Sequence, residues 1–327
     1  MELCEKLVKE EQKSNKSTLK QKDSLINLPS NSKIQPVGLV NRGTYCFANS
    51  GLQCLLTVDN FIQYFLNSEY TSLKNKSIRK KHISLVFSRF LADLSRKSSR
   101  SYFDHSEIRN IISQRFDPTI HHDCQEFIRF FLSEMQDEMN SKPPKNYTLE
   151  DIKTSKLAKE KYFSCHDSII DQTFAGLLKS QVTCHSCKNE SITYDPFLDL
   201  SLHFNKNGSR KINTMLDEFF DDENINGYAC EKCKKRSKAT KSTSIAHLPP
   251  VLMIHLMRIS MAPKKQKINE MIHYEKDGFT LKKFMSSDST GAGSGYSLKA
   301  IAIHIGSPDF GHYIALCKRE NKVLSEI

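Results

Sequence analysis

Cys46 stands at the junction between a loop and an apolar segment with the composition of a helix. The loop carries Gly38, Asn41 and Gly43, and the apolar segment covers residues 47 to about 66. The unpaired N–H groups and positive dipole end of a helix start stabilise a thiolate and lower its pKa. A thiolate here suits attack on a carbonyl, with the Asn41 amide beside the oxyanion. The residues leave an alternative open, since a buried cysteine at a helix start is often purely structural.

His312 is the second candidate for catalysis. It lies between Gly311 and Tyr313, at the end of a turn-forming segment that joins two predicted strands, 296–305 and 312–317. A histidine at a strand start, beside a glycine, is held in place yet accessible, which suits a base that takes and returns a proton near neutral pH. A strand histidine without a catalytic role is the alternative.

Four cysteines form two chelating pairs, Cys184-x-x-Cys187 and Cys230-x-x-Cys233. Two thiolates from one tight turn bind a single ion, and two such pairs complete the tetrahedral set that structural zinc favours. The intervening segment is longer than in a compact zinc ribbon, so the pairs would close the ends of a long excursion of the chain. The alternative is four unrelated reduced cysteines.

The loop and helix start together resemble the cysteine box of the ubiquitin-specific proteases, a family of deubiquitinating cysteine proteases. The matching residues are Gly38-Leu39-x-Asn41-x-Gly43-x-x-Cys46-Phe47-x-Asn49-Ser50-x-Leu52-Gln53. The box departs from the family pattern at Thr44 and Tyr45, where Asn and Thr are usual. Tyr296-x-Leu298-x-Ala300-x-x-x-His304-x-Gly306, followed by Gly311-His312-Tyr313, is similar to the histidine box of the same proteases.

This resemblance implies hydrolysis of the bond after the terminal glycine of ubiquitin. Cys46 would be the nucleophile, His312 the base and then the acid, and Asn41 an oxyanion donor. The implied fold is α+β and papain-like, with a helical thumb (36–165), β fingers that bear a structural zinc (177–245), and a β palm (166–176 and 246–327). The catalytic domain would cover residues 35–327. Ubiquitin and ubiquitinated proteins are the implied partners.

Residues 121–127, His-His-Asp-Cys-Gln-Glu-Phe, resemble a family element that is usually close to Gln-x-Asp-Ala-Gln-Glu-Phe. The resemblance gives Asp123 and Glu126 contacts with the basic C-terminal tail of ubiquitin, and it adds Tyr313 to the ubiquitin-binding set. The residues alone favour a simpler role, with Asp123 as the N-cap and Glu126 three residues later in a variant capping box.

A third catalytic group, which orients the histidine in this family, has no matching motif after His312. Either it is absent, with the final C-terminal strand missing, or Asn321 takes its place.

The elements that must position these residues follow from apolar periodicity. Residues 36–140 are predicted as a helical subdomain, with Asp123 starting an amphipathic helix, and a polar linker continues to about residue 162. Downstream, the expected elements are strands at 177–183 and 191–194, a helix at 214–220, a buried strand at 251–257 and the hairpin that carries His312. Residues 1–34 are predicted as a mobile polar tail.

The chain has 327 residues, 38% of them apolar, and a net charge of +11. The charge is spread over several lysine-rich stretches, which favours solvated faces over a nucleic-acid site. No apolar run is long enough for a membrane span, and the N-terminus lacks a signal-peptide core. We therefore expect the ten cysteines to be reduced, the protein to be cytoplasmic or nuclear, and no membrane partner.

Two rival functions stay open at this level. One is a ubiquitin-binding scaffold of the same fold that has lost turnover, which the departures at Thr44 and Tyr45 favour. The other is a zinc-ribbon nucleic-acid binder, supported by the basic residues around Cys233 and opposed by the cysteine and histidine boxes.

Overall fold

The computed structural model describes residues 34, 37–67, 83–96, 102–142, 149, 152–204, 210–260, 266–289 and 295–318, and the backbone of 3–9 and 325–326. Its helices are α1 (Cys46–Leu55), α2 (Asp59–Leu66), α3 (Ile83–Arg96), α4 (Ser106–Ile112), α5 (Cys124–Met139), α6 (Ser155–Cys165), α7 (Ile169–Phe174) and α8 (Ile212–Phe219). None of these described helices is long and apolar enough to cross a membrane.

The strands fall into two larger sheets and two short pairs. They are β1 (Leu3–Lys9), β2 (Gly38–Leu39), β3 (Tyr102–Phe103), β4 (Gly176–Cys184), β5 (Glu190–Phe197), β6 (Leu200–His203), β7 (Glu223–Ala229), β8 (Arg236–His247), β9 (Val251–Met257), β10 (Ile259–Ser260), β11 (Gln266–Lys267), β12 (Tyr296–Gly306), β13 (Gly311–Cys317) and β14 (Ser325–Glu326). The six-stranded sheet has the order β14-β13-β12-β1-β9-β6, and the four-stranded sheet has the order β5-β4-β8-β7.

Helix α1 is buried along its whole length. It packs against α5 on one side, where Gly51 lies against the Phe127 ring, and against β13 on another, where the Cys317 thiol donates to the Gln53 carbonyl at 3.5 Å. Fully burying an apolar side chain such as Phe47 or Leu52 contributes about 1.5–3 kcal/mol. The helix that begins at Cys46 is therefore fixed by contacts on several faces.

The apolar segment after Cys46 forms two helices rather than one. Helix α1 ends at Leu55, where the Thr57 hydroxyl donates to the Cys54 carbonyl at 2.7 Å, and Val58 has non-helical φ/ψ angles of −96° and 89°. Local bonds from a threonine hydroxyl compete with the helical pattern, and i to i−3 backbone bonds tighten the last turn. The predicted single helix over residues 47–66 is wrong at this break.

Helix α5 has the amphipathic character that its sequence predicts. Phe127, Phe131 and Met135, spaced at i, i+4, are fully buried. The Phe131 ring lies 5.3 Å from that of Phe87 on α3, in an edge-to-face arrangement that suits aromatic pairs. These contacts hold the start of α5 beside the start of α1.

Part of the predicted linker is helical. Helix α6 forms over residues that the sequence assigned to a polar linker ending near Tyr162, and the Thr154 side chain caps it. Ala158, Tyr162 and Cys165 are buried on one side of the helix. The charged residues between them concealed this apolar stripe in the sequence.

A carboxylate joins helix α6 to the four-stranded sheet. Asp288 accepts from the Ser155 backbone N–H at 2.7 Å and from the Lys179 ammonium group on β4 at 3.2 Å. Although burial raises its pKa, the hydrogen bonds from Ser155 and Lys179 bring the pKa of Asp288 down to about 2. Asp288 is therefore ionised at neutral pH and accepts these hydrogen bonds as a carboxylate.

Strand β1 lies within the segment predicted as a mobile tail. Its backbone pairs antiparallel with β12 on one side and β9 on the other. The facing edges of β9 and β12 carry backbone N–H and C=O groups that need hydrogen-bond partners, and β1 supplies these partners. The expected tail therefore differs from the structure at residues 3–9, while residues 10–33 lie outside the described part of the chain.

The packing of α1 on α5 gives a testable prediction. A Cβ added at Gly51 would lie 2.7 Å from the nearest Phe127 ring carbon. Overpacking costs about 1–3 kcal/mol, whereas alanine gains about 1 kcal/mol in helix propensity. We expect Gly51→Ala to lower the free energy of unfolding by about 1 kcal/mol or more in urea denaturation.

The control is Thr214→Ala at an exposed position of α8, which we expect to change stability by no more than about 0.5 kcal/mol. A Gly51→Ala variant as stable as the wild type would contradict the close approach of the two helices.

Candidate active site and cysteine cluster

Cys46 is the first residue of α1, and its side chain is buried, with 5% of the residue exposed. Tyr45 occupies the N-cap position without a side-chain cap. The N–H groups of the first turn therefore keep their donor capacity beside the thiol.

The side-chain oxygen of Asn41 accepts from the Tyr45 backbone N–H at 3.1 Å. Because the oxygen accepts this bond, the amide nitrogen is the group of Asn41 that can donate. Gly43 has a φ of +107°, which permits the turn between the two residues. The arrangement places a donor on the loop that leads directly into the Cys46 helix.

The two departures from the family pattern have defined positions in this loop. The Thr44 hydroxyl donates to the Pro118 carbonyl at 2.8 Å, and the buried Tyr45 ring stacks on Phe47 with a centroid distance of 6.4 Å. Thr44 and Tyr45 therefore differ from the usual residues, but each of them anchors the loop to its surroundings through a contact of its own.

Buried polar side chains of α1 hold the same loop from below. The Asn49 amide donates to the Leu39 carbonyl at 3.1 Å, and the Gln53 amide donates to the Val37 carbonyl at 2.7 Å. The Nε2 atom of His105 lies 2.8 Å from the Asn49 oxygen. Since that oxygen can only accept, Nε2 carries the proton.

His105 is almost fully buried, and its Nδ1 atom has no hydrogen-bond partner in the structure. Burial lowers the pKa of this ring from 6.5 to about 4, so it is neutral at physiological pH. Asp104, the preceding residue, accepts from Arg109 and from Arg42, and hydrogen bonds from these two guanidinium groups lower its pKa. This cluster was not anticipated from the sequence, where only the isolated histidine before α4 marks it.

The start of α1 lies beside the start of α5. The Phe47 ring, next to Cys46, is 5.3 Å from the His122 ring and 5.9 Å from the Phe127 ring. Asp123 is the N-cap of α5, and one of its oxygens accepts from the N–H groups of the second and third helical residues.

The start of β13 comes to the same place. The Tyr313 hydroxyl donates to the second oxygen of Asp123 at 3.1 Å, and His312, the residue before it, is exposed. Cys46 and His312 are thus each one residue away from a residue that contacts the start of α5. Among the described residues, no hydrogen bond joins the thiol to the ring, as is common before substrate tightens such a pair.

Glu126 and Asn321 complete the set of predicted site residues. The predicted capping role is confirmed for Asp123, while the Glu126 carboxylate points away and lies 3.9 Å from Arg115 with about half of its surface exposed. Asn321 falls outside the described residues, so its role stays a prediction.

The four predicted metal-binding cysteines converge at the tip of the four-stranded sheet. The sulfur atoms of Cys184, Cys187, Cys230 and Cys233 all lie within 4.8 Å of one another. Both turns share one geometry, in which the residue four positions after the first cysteine donates its N–H back to that cysteine's carbonyl at 2.9 Å. The cluster could hold a metal ion, and four thiol donors in this geometry match a closed tetrahedral site.

The position of the cluster in the sheet explains its convergence. Cys184 ends β4, and Cys230 follows β7 directly. Strands β4 and β7 both pair with β8, so two cysteine pairs distant in sequence come to the same end of the sheet. A hydrogen bond with the Ser237 hydroxyl lowers the pKa of Cys184 to about 6, which favours the thiolate that metals bind.

A cysteine at the start of a buried helix, a histidine at a strand start and an amide on the loop before the helix are the residue types that cysteine hydrolases use. Residues 37–324 match the ubiquitin carboxyl-terminal hydrolase family, and the chain belongs to that family.

The curated relatives agree. The chain is 32% identical over 293 residues to ubiquitin carboxyl-terminal hydrolase Usp2 of Drosophila melanogaster, covering 86% of the chain and 31% of that protein. It is 31% identical over 301 residues to human ubiquitin carboxyl-terminal hydrolase 2, covering 86% of the chain and 49% of the relative. The chicken protein of the same name is 32% identical over 310 residues, at 89% and 86% coverage. The chain thus spans just under a third of the first of these relatives and about half of the second.

Solved structures share the fold. The SAGA Ubp8/Sgf11/Sus1/Sgf73 DUB module bound to ubiquitin aldehyde matches with a TM-score of 0.68 at 23% identity, covering 92% of this chain and 68% of that chain. A second structure of the yeast SAGA DUB module gives a TM-score of 0.69 at 26% identity, with coverages of 92% and 67%. The predicted α+β class is therefore confirmed, with a helical region, a six-stranded sheet and a four-stranded sheet that ends in the cysteine cluster.

The buried His105 gives a pH prediction. In the unfolded chain the ring has its ordinary pKa of 6.5, whereas burial lowers the folded value to about 4. Between these values the unfolded state binds a proton that the folded state does not. The contribution of the neutral His105 ring to the free energy of unfolding is therefore complete above about pH 6.5. It falls by about 3 kcal/mol as the pH is lowered toward 4.

Urea denaturation of wild type and His105→Gln at several pH values between 7 and 4 tests this effect, because glutamine keeps a donor for Asn49 but does not titrate. We expect the free energy of unfolding to fall less steeply in the variant. Parallel curves for the two proteins would show that His105 is not the group responsible.

Proposed function

We propose that this protein is a thiol-dependent deubiquitinase that hydrolyses the peptide or isopeptide bond after the terminal glycine of ubiquitin. The observation that carries the proposal is the meeting of three elements at the start of α5: the Cys46 end of α1, the Asn41 loop and the His312 end of β13. Family membership supports the same reaction, and the fold is shared with a DUB module whose structure contains ubiquitin aldehyde.

In the proposed mechanism the Cys46 thiolate attacks the carbonyl carbon of the ubiquitin glycine. The oxygen becomes an oxyanion that accepts from the Asn41 amide and from N–H groups at the start of α1. Protonated His312 gives its proton to the leaving amine, and a thioester remains on Cys46. His312 then removes a proton from water, the resulting hydroxide attacks the thioester, and the thiolate leaves.

Ubiquitin would approach along the surface between α5 and β13. Asp123 and Tyr313 are bonded to one another, and we assign them to shaping this surface and contacting the ubiquitin tail. Glu126 is exposed and acidic, and it offers the charge that attracts a basic tail. The other partners would be ubiquitinated proteins.

We infer that the ion held by the cysteine cluster is zinc and that it is structural. Four thiols leave no open position for substrate or water. Zinc there would fasten the two turns to one another and supply no step of the reaction. The basic residues near Cys233 are then solvated side chains rather than a nucleic-acid site.

We also propose the bounds of the three subdomains and the location of the protein. We assign residues 36–165 to the thumb, 177–245 to the fingers and 166–176 with 246–327 to the palm. No disulfide joins the described cysteines, which supports a reducing location in the cytoplasm or nucleus.

A ubiquitin-binding scaffold without turnover is the second candidate, favoured by the altered residues Thr44 and Tyr45. Reaction with ubiquitin-propargylamide separates the two, since only an active thiol is labelled. We expect one adduct per chain, on Cys46. Ubiquitin binding without labelling would support the scaffold. Absence of both ubiquitin binding and labelling would favour the nucleic-acid binder.

Substitutions at the site sharpen this test. Cys46→Ala should abolish hydrolysis of a ubiquitin C-terminal amide and keep ubiquitin binding, because it removes only the nucleophile. Asn41→Ala should lower kcat by roughly 10²–10³, as loss of one oxyanion donor does. Cys54→Ala in the same helix is the matched control and should still be labelled. Wild-type hydrolysis by Cys46→Ala would refute the mechanism.

The metal proposal has its own test. We expect one zinc per chain in natively purified protein, and less in Cys230→Ser, where the loss of a ligand also removes folding free energy. Elemental analysis and hydrogen exchange over residues 180–235 measure the two effects. Cys165→Ser, at a buried cysteine outside the cluster, should keep its zinc, and metal-free wild-type protein would end the proposal.

A further inference from the structure

Lys267 lies on the short strand β11, and its ammonium group reaches the end of β12. Its Nζ atom is 2.7 Å from the Gly306 carbonyl oxygen, 3.1 Å from the His304 carbonyl oxygen and 2.8 Å from the His304 Nδ1 atom. The three N–H donors of a lysine are thus used on three acceptors that are close together in the chain. Burial lowers the pKa of Lys267.

The two carbonyl groups stand on either side of Ile305. In the β12–β13 hairpin, Ile305 pairs with His312, His304 with Tyr313 and Gly306 with Gly311. Lys267 therefore holds the backbone on both sides of the residue that lies opposite His312. The position of the strand start that carries His312 depends on this backbone.

The His304 side chain fixes the other strand of the hairpin. It is buried, and its ring lies 4.7 Å from the Tyr313 ring. A Cβ added at Gly311 would lie only 2.1 Å from the His304 Nε2 atom, so the ring rests directly on the backbone just before His312. Because Lys267 donates to Nδ1, His304 is neutral and carries its proton on Nε2.

We propose that Lys267 is a positioning residue for His312, acting through the His304 ring and the two carbonyl groups at the end of β12. The inference rests on the proposed function, since it concerns the geometry of the base in that reaction. Lys267 is distant from His312 in sequence and belongs to neither the cysteine box nor the histidine box. Its role follows from contacts between β11 and the hairpin.

The test compares Lys267→Met with wild type in hydrolysis of a ubiquitin C-terminal amide. Methionine keeps most of the volume and removes all three donors. A base displaced by about 1 Å can cost about 10²-fold in rate. We therefore expect kcat per folded molecule to fall by roughly 10- to 100-fold, with KM within about twofold of wild type. Lys267→Arg, which restores a cationic donor, should recover part of the loss.

A pH profile separates positioning from a merely structural role. Alkylation of Cys46 by iodoacetamide, followed by mass spectrometry of its peptide, reports the thiolate. In the proposed mechanism the cation near the Cys46 thiol is protonated His312. Loss of a nearby cation raises a thiol pKa by about one unit or more. If Lys267→Met displaces His312, the midpoint of the profile should therefore move upward by about one pH unit.

Gln266→Met is the matched control, because it places the same side chain at the exposed neighbouring position of β11; we expect wild-type kcat and pH profile. Should Lys267→Met not fold, Lys267→Leu, which also lacks a donor, replaces it with the same expected loss. An active wild type with unchanged kcat in the folded Lys267 variant overturns the inference. A wild type without turnover or Cys46 labelling overturns the proposed function instead.

Discussion

Burial of polar side chains in helix α1 is the constraint on which the active-site arrangement depends. Asn49 and Gln53 are taken out of water with the rest of the helix, and an unpaired amide in such a place costs roughly 1–3 kcal/mol. Their partners are the carbonyl groups of Leu39 and Val37. The loop that carries Asn41 is thereby fixed to the helix that begins at Cys46, so the proposed nucleophile and the proposed oxyanion donor belong to one unit.

His312, the proposed base, belongs to the β12–β13 hairpin, and both units contact the start of α5. Asp123 uses one oxygen to cap this helix and the other to accept from Tyr313. A single carboxylate thus links the helical region to the hairpin. The hairpin is supported on its opposite side by Lys267 and His304. These contacts position Cys46 relative to His312, since no hydrogen bond joins the two in the part of the chain that the structure describes.

The cysteine cluster occupies the tip of the four-stranded sheet. Its four sulfur atoms come together because β4 and β7 pair with the same strand, β8. Closer to the site, Asp288 ties α6 to β4 through Ser155 and Lys179. The four-stranded sheet is therefore anchored to the helical region at its base, while the metal-binding turns organise its tip.

From the sequence by itself, the paired cysteines followed from residue type and spacing, and α5 and β9 from apolar periodicity, because such patterns are local. Cys46 and His312 were singled out by the resemblance of their surrounding segments to a known family. Only the tertiary structure decided which side chains meet across long separations. The break after Leu55, the helix α6, the pairing of β1 and the contacts of His105 and Lys267 depend on neighbours remote in sequence. No local pattern marks them, since burial and hydrogen-bond satisfaction are properties of the folded chain.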